Sequence, residues 1–112
     1  MNVASRELTI SERLGIVTVI DEEDWDYVTR WRWTFKRSRA SYGRSLYACR
    51  NTTMDGIRVK IMLHNVILER SGKKRPSPLH TGHHKNRKSL DNTRENLEWA
   101  TKKKQRRERG DG

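Results

Sequence analysis

Three stretches of this chain alternate with period two, close enough together to pair with one another. Trp31-Arg32-Trp33-Thr34-Phe35-Lys36 sets Trp31, Trp33 and Phe35 against Arg32, Thr34 and Lys36, because successive side chains of a strand point to opposite faces. Leu46-Tyr47-Ala48-Cys49-Arg50 reads as a second strand after a loop containing Tyr42-Gly43. Asp55-Gly56 is a hairpin turn signal, and Ile57-Arg58-Val59-Lys60-Ile61 alternates again behind it. Together they predict a three-stranded antiparallel sheet, apolar on one side and basic on the other.

The flanks of that sheet are equally local in their signals. Leu8-Thr9-Ile10 and Ile16 to Ile20 read as short strands joined by a turn near Gly15. Asp21-Glu22-Glu23-Asp24 has the look of a capped, acidic first helical turn, with negative charge at the positive end of the dipole. Trp25 and Val28 then share a buried face, and the carboxylates are expected on the solvated one. Leu63 to Leu68 predicts a short helix packed on the sheet, with His64 a satisfied structural histidine rather than a ligand. Ser71 to Pro78 is a basic linker with Gly72 and two prolines. The expected fold is α+β: residues 1–70 a sheet-plus-helix module, 71–78 a linker too short to set off a second independent domain, and 79–112 a second motif with a basic C-terminal helix, all in one compact unit.

Charge points to the partner. The net charge is +11 over 112 residues, with 35% charged and 32% hydrophobic side chains, so one thin core faces a very basic surface. Residues 1–30 hold three basic and seven acidic side chains, 3 − 7 = −4, leaving 22 − 7 = +15 for residues 31–112. A block that basic meets a polyanion, and nucleic acid is the expected one. Arg32, Lys36, Arg50, Arg58 and Lys60 on the sheet are the candidate phosphate contacts, which position a protein without reading sequence. The lone Cys49 excludes an intramolecular disulfide and a multi-cysteine zinc module. With no apolar leader and no membrane-length apolar run, the expected location is cytoplasmic, with no membrane partner.

The stretch from Gly82 to Gln105 carries the chemistry. His83 and His84 end a short extended piece, a polar loop follows, and Leu90-Asp91-Asn92, Asn96-Leu97, Trp99 and Ala100-Thr101 come at fixed distances. Thr101 is a good N-cap for the basic segment after it. This pattern resembles the HNH endonucleases, the ββα-metal nucleases of phages, homing elements and some bacterial toxins. The family form Asp-His-x-Asn-Gly-Asn-x-Leu-Asp-Asn-x-x-x-Asn-Leu-x-x-Ala-Thr aligns with His83 at the usual Asp and His84 at the first His. Asn86 matches the loop Asn, Arg87 replaces the Gly, Asn96 is the central Asn, and Gln105 falls at the last Asn. The match covers about a fifth of the chain. The sheet module is similar to the one preceding this motif in many phage proteins, itself similar to the plant ethylene-response type of DNA-binding sheet.

The resemblance implies a metal-dependent DNA endonuclease, nicking one strand per encounter as a monomer or weak homodimer in a bacterial or phage-infected cell. His84 is then the general base. Asn96 belongs to the catalytic machinery without touching metal, bracing the loop that orients His84. His83 and Gln105 are the ligands of one divalent ion. The ion is Mg²⁺ or Mn²⁺, with Ni²⁺ or Zn²⁺ possible because imidazole shifts the preference away from hard ions. Lys85, Arg87, Lys88 and Arg94, in or beside the loop, are candidates for holding the DNA backbone. Two other readings compete: a DNA-binding protein whose HNH site has decayed, and a structural zinc site made from His80, His83, His84 and Cys49.

Overall fold

The computed structural model describes residues 4–38 and 45–104. Strands β1 (Ser5–Ser11) and β2 (Ile16–Asp21) form an antiparallel hairpin, turning at Gly15 with φ +67°. Helix α1 (Glu22–Val28) follows at once. Next come β3 (Thr34–Arg37), β4 (Leu46–Met54) and β5 (Ile57–Met62), an antiparallel sheet in that order. The β4–β5 turn holds Asp55 at φ +49° and Gly56 at φ +78°. Two consecutive left-handed residues are what a twisted two-residue hairpin requires, which is why Asp-Gly marks it. Helix α2 (Leu63–Arg70) then packs back on the molecule. The chain is a small α+β fold, and the predicted three-stranded sheet, N-terminal hairpin and two helices are all present.

The last third is paired with both the hairpin and itself. Strand β6 (His80–His84) pairs antiparallel with β8 (Leu97–Thr101). Between them the short β7 (Asp91–Asn92) runs parallel to β2, with Val19 opposite Asp91 and Ile20 opposite Asn92. One of β2's two neighbours therefore comes from far along the chain. The linker is also tied in: Trp99 Nε1 donates to the Lys73 carbonyl at 2.8 Å, and Lys73 Nζ donates to the Leu97 carbonyl at 3.2 Å. Ile20, Val28, Trp33, Ala48, Leu63, Ile67, Leu68 and Leu97 form one core drawn from both halves. Among the described residues, no helix is long and apolar enough to cross a membrane.

Helix α1 departs from expectation. Asp21 makes no side-chain cap; its carboxylate instead accepts the Arg94 backbone N–H at 3.0 Å, and burial raises its pKa. Asp24 does not face solvent but is fully buried. It accepts Arg94 Nε at 3.0 Å and Nη2 at 2.8 Å, and Arg70 Nε at 3.0 Å. Asp24 and Val28 stand four apart, so the buried stripe runs through both. Removing one partner of such a cluster leaves uncompensated charge, at a cost of about 3–5 kcal/mol.

Candidate functional site

Strand β6 delivers its two histidines to opposite faces. Cross-strand partners share a face, so His84 lies with Leu97 and Gly82 with Trp99, while His83 lies with Glu98. The face of Gly82 and His84 looks onto α2. A Cβ on Gly82 would stand 2.3 Å from His64 Cδ2 and 2.7 Å from Asn65 Oδ1. Only glycine lets α2 approach that closely, and the closeness brings the His64 ring to 5.1 Å from the His84 ring, edge to face. Tyr47, on β4, closes the group at 5.9 Å from His64 and 6.0 Å from His84.

His84 is 6% exposed, and its Nε2 lies 2.9 Å from Asn92 Oδ1. Asn92 Nδ2 donates to Thr18 Oγ1 at 2.8 Å, and Thr18 donates to the Leu90 carbonyl at 2.7 Å. Burial lowers the His84 pKa, partly opposed by the Asn92 hydrogen bond. Burial likewise lowers His64, to about 3, so both rings are neutral near pH 7.

The loop after β6 is closed by hydrogen bonds rather than apolar contacts. Asn96 Oδ1 accepts the Asn86 N–H at 2.9 Å, Asn96 Nδ2 donates to the Asp91 carbonyl at 2.9 Å, and the Lys85 N–H reaches the Asn96 carbonyl at 2.8 Å. Asn86 Nδ2 bonds Asp91 at 2.8 Å, and Ser89 Oγ bonds the Leu46 carbonyl on β4. Arg87 sits at φ +65°, the conformation for which glycine is the easy choice.

On the other face His83, 8% exposed, has Nε2 3.9 Å from Glu98 Oε2. Glu98 Oε1 accepts Lys104 Nζ at 3.1 Å. An imidazole and a carboxylate are donor types that a borderline divalent ion accepts, and among the described residues no third His, Cys, Asp or Glu joins them. Gln105, the other expected ligand, lies outside the described residues. Thr101 behaves as an N-cap, its Oγ1 accepting the Lys104 N–H at 3.2 Å. A four-ligand zinc site is not assembled: among the described residues no three His, Cys, Asp or Glu side chains gather to hold an ion. His83 points away from His80 and His84, and His80 Nδ1 is engaged with Ser77 Oγ at 2.8 Å.

The basic candidates divide three ways. Lys36, Arg58 and Lys60 are exposed and share one sheet face, because their cross-strand partners Tyr47, Thr53 and Asn51 alternate together along β4. Arg32 is exposed just before β3, and Lys85, Arg87 and Lys88 are exposed on the loop. Arg50 is a correction: it pairs with Ile61 and lies on the face opposite to Lys36, Arg58 and Lys60. Its guanidinium stacks 4.6 Å from the Trp31 ring centre, and among the described residues its Nε meets no acceptor. Arg94 is a second correction, since its guanidinium is committed to Asp24 and Glu23. Sequence reasoning missed Asn92, Thr18, Glu98 and the contact of His64 with His84. Asn92 alone left a signal, as part of the spaced Leu90-Asp91-Asn92 pattern; Glu98 emerges only from the β6–β8 register, which sets it across from His83.

No family model, no characterised protein and no solved structure matches the chain.

Proposed function

We propose that the chain is a metal-dependent DNA endonuclease of the HNH type, cutting one strand per encounter. The observation that carries this reading is His84: neutral, hydrogen-bonded through Nε2, and anchored beside a loop that Asn96 ties shut. Such a ring is oriented for general-base work at neutral pH. His84 takes a proton from a water molecule, the water oxygen bonds to phosphorus, and the bond from phosphorus to the 3′-oxygen breaks. That oxygen then takes a proton from solvent. Rings as covered as His83 and His84 admit a water or an ion rather than a bulky group.

His83, with Glu98 beside it, would hold one divalent ion, and Gln105 is a third donor in the family pattern. When bound, the ion supplies Lewis-acid stabilisation of charge on the phosphate. Glu98 makes up part of the negative charge that histidine at position 83 lacks compared with aspartate. Lys36, Arg58 and Lys60 hold the DNA backbone on the face that carries Tyr47 towards His84, and Lys85, Arg87 and Lys88 hold it at the loop.

Plasmid nicking in Mg²⁺, Mn²⁺, Ni²⁺, Zn²⁺ and EDTA, with wild type beside His84→Ala, tests the reading. Metal-dependent relaxation lost in the variant is the expected result. Conversion of supercoiled plasmid directly to linear product would defeat the nicking reading. The close cover over both rings favours a second reading, a DNA-binding protein without cleavage, which retained binding and no cutting in any metal would support. An Arg58→Ala, Lys60→Ala double variant should flatten the salt dependence of binding by about two phosphate contacts. An unchanged slope would remove the sheet from the interface.

A further inference from the structure

The hydrogen bonds behind His84 have a forced direction. The Leu90 carbonyl can only accept, so Thr18, 2.7 Å away, must give it the hydroxyl proton. Thr18 Oγ1 is then left as an acceptor, and the Asn92 group 2.8 Å from it must be the amide NH₂. That turns Asn92 Oδ1 towards His84, where it accepts at 2.9 Å, so His84 Nε2 must carry a proton. In the neutral ring Nδ1 is then bare. A main-chain carbonyl, a threonine on β2 and an asparagine on β7 thus leave the imidazole one tautomer.

We propose that Asn92 and Thr18 are positioning residues that hold His84 as the Nε2–H tautomer, making Nδ1 the atom that takes the proton from water. The tautomer stands on the hydrogen bonds alone; its catalytic meaning rests on the nuclease reading above. The arrangement serves both halves of the step. Before it, the chain keeps Nδ1 unprotonated and fixes the ring plane. After it, the imidazolium still donates Nε2–H to the same carbonyl oxygen, so no partner has to move as charge appears. Neither Asn92 nor Thr18 touches the substrate.

The test is the spectrum of full-length protein labelled with ¹⁵N in its histidine rings, at a pH where His84 is neutral, its signals assigned with His84→Gln. A protonated ε nitrogen and a bare δ nitrogen are expected in wild type and in Thr18→Ser, which keeps the hydroxyl. Thr18→Val removes the acceptor, frees the Asn92 amide to turn over, and should move the proton to Nδ1. In the same variant nicking at saturating DNA should fall ~10- to 100-fold with KM unchanged, within the share a general base supplies, and Thr18→Ser should restore it. A δ-protonated ring in wild type overturns the proposal outright, whether or not Thr18→Val folds. So does a Thr18→Val ring that keeps its ε proton, or one that changes tautomer and still nicks at the wild-type rate. If the spectra behave as expected in a protein that cuts nothing, the tautomer assignment is upheld and the nuclease reading alone falls.

Discussion

The two faces of β6 carry the same side chain one residue apart and treat it in opposite ways. His83 meets a carboxylate that is itself paired with a lysine. His84 meets an amide oxygen, a second neutral imidazole and a phenol ring. One face is built from charge; the other is built from neutral dipoles and fixes a proton. Strand alternation makes this division possible without a bend or an insertion, and under the proposed nuclease reading it would separate a metal ligand from a general base inside a single dipeptide.

The sharpest way to break the comparison is to remove each ring in turn. His84→Ala should lower the nicking rate by ~10²- to 10⁴-fold at every metal concentration. His83→Ala should be partly relieved by raising Mn²⁺. Equal losses that ignore metal would mean that the faces do not divide the work.

Acid should act on the neutral face first. His64 has a folded pKa of about 3 against ~6.5 unfolded, so the unfolded chain binds the proton more readily in between. Its contribution is complete above pH ~6.5 and is lost as pH falls towards 3. Between pH 6.5 and 5 the unfolding free energy should drop by about 2 kcal/mol, with His84 adding in the same direction. Urea titrations across that range read the slope, and a slope unchanged in His64→Gln would show that His64 is not the source.

Gly82→Ala presses a methyl group into His64 and should cost about 2 kcal/mol, a typical overpacking penalty; it should also broaden the His84 ring signals. No loss in thermal or urea unfolding would mean that α2 is not seated on this face as described. On the charged face, Glu98→Gln should weaken metal activation about tenfold while leaving the His84 tautomer untouched. A matching change in the tautomer would show that the faces communicate. The smallest effect should come from Arg87→Gly. Relieving a left-handed non-glycine residue stabilises by about 1 kcal/mol, and loss of the cation should slightly weaken DNA binding at low salt.

What the sequence reveals here is what short-range geometry controls. The strand alternation of residues 34–36 and 58–61, the Asp55-Gly56 turn and the Thr101 cap all appear in the structure because each depends on neighbours within a few positions, whereas residues 31–33, expected in the same strand, lie before it. Arg50 shows the limit. Its strand is legible, but its face depends on register, and a one-residue difference sends a side chain to the other side. Asp24 looks like one more acid in a solvated first turn; only the arrival of Arg70 and Arg94 makes it an internal anchor. The candidate base and the loop asparagines are visible as a spaced pattern. Thr18, which orients them, lies far away in sequence, in a strand that looks purely structural.

The parallel pairing of β7 with β2 bears on how a chain like this is made and remade. A ribosome releases Thr18 long before Asn92, so a growing chain can complete its first hairpin and central sheet while His84 still lacks its proton-fixing partner. On the nuclease reading, a chain could cut only after Asn92 has met Thr18. Someone transplanting residues 79–101 into another scaffold would carry over both histidines and the loop, yet leave behind the threonine that tells one of them which nitrogen to use.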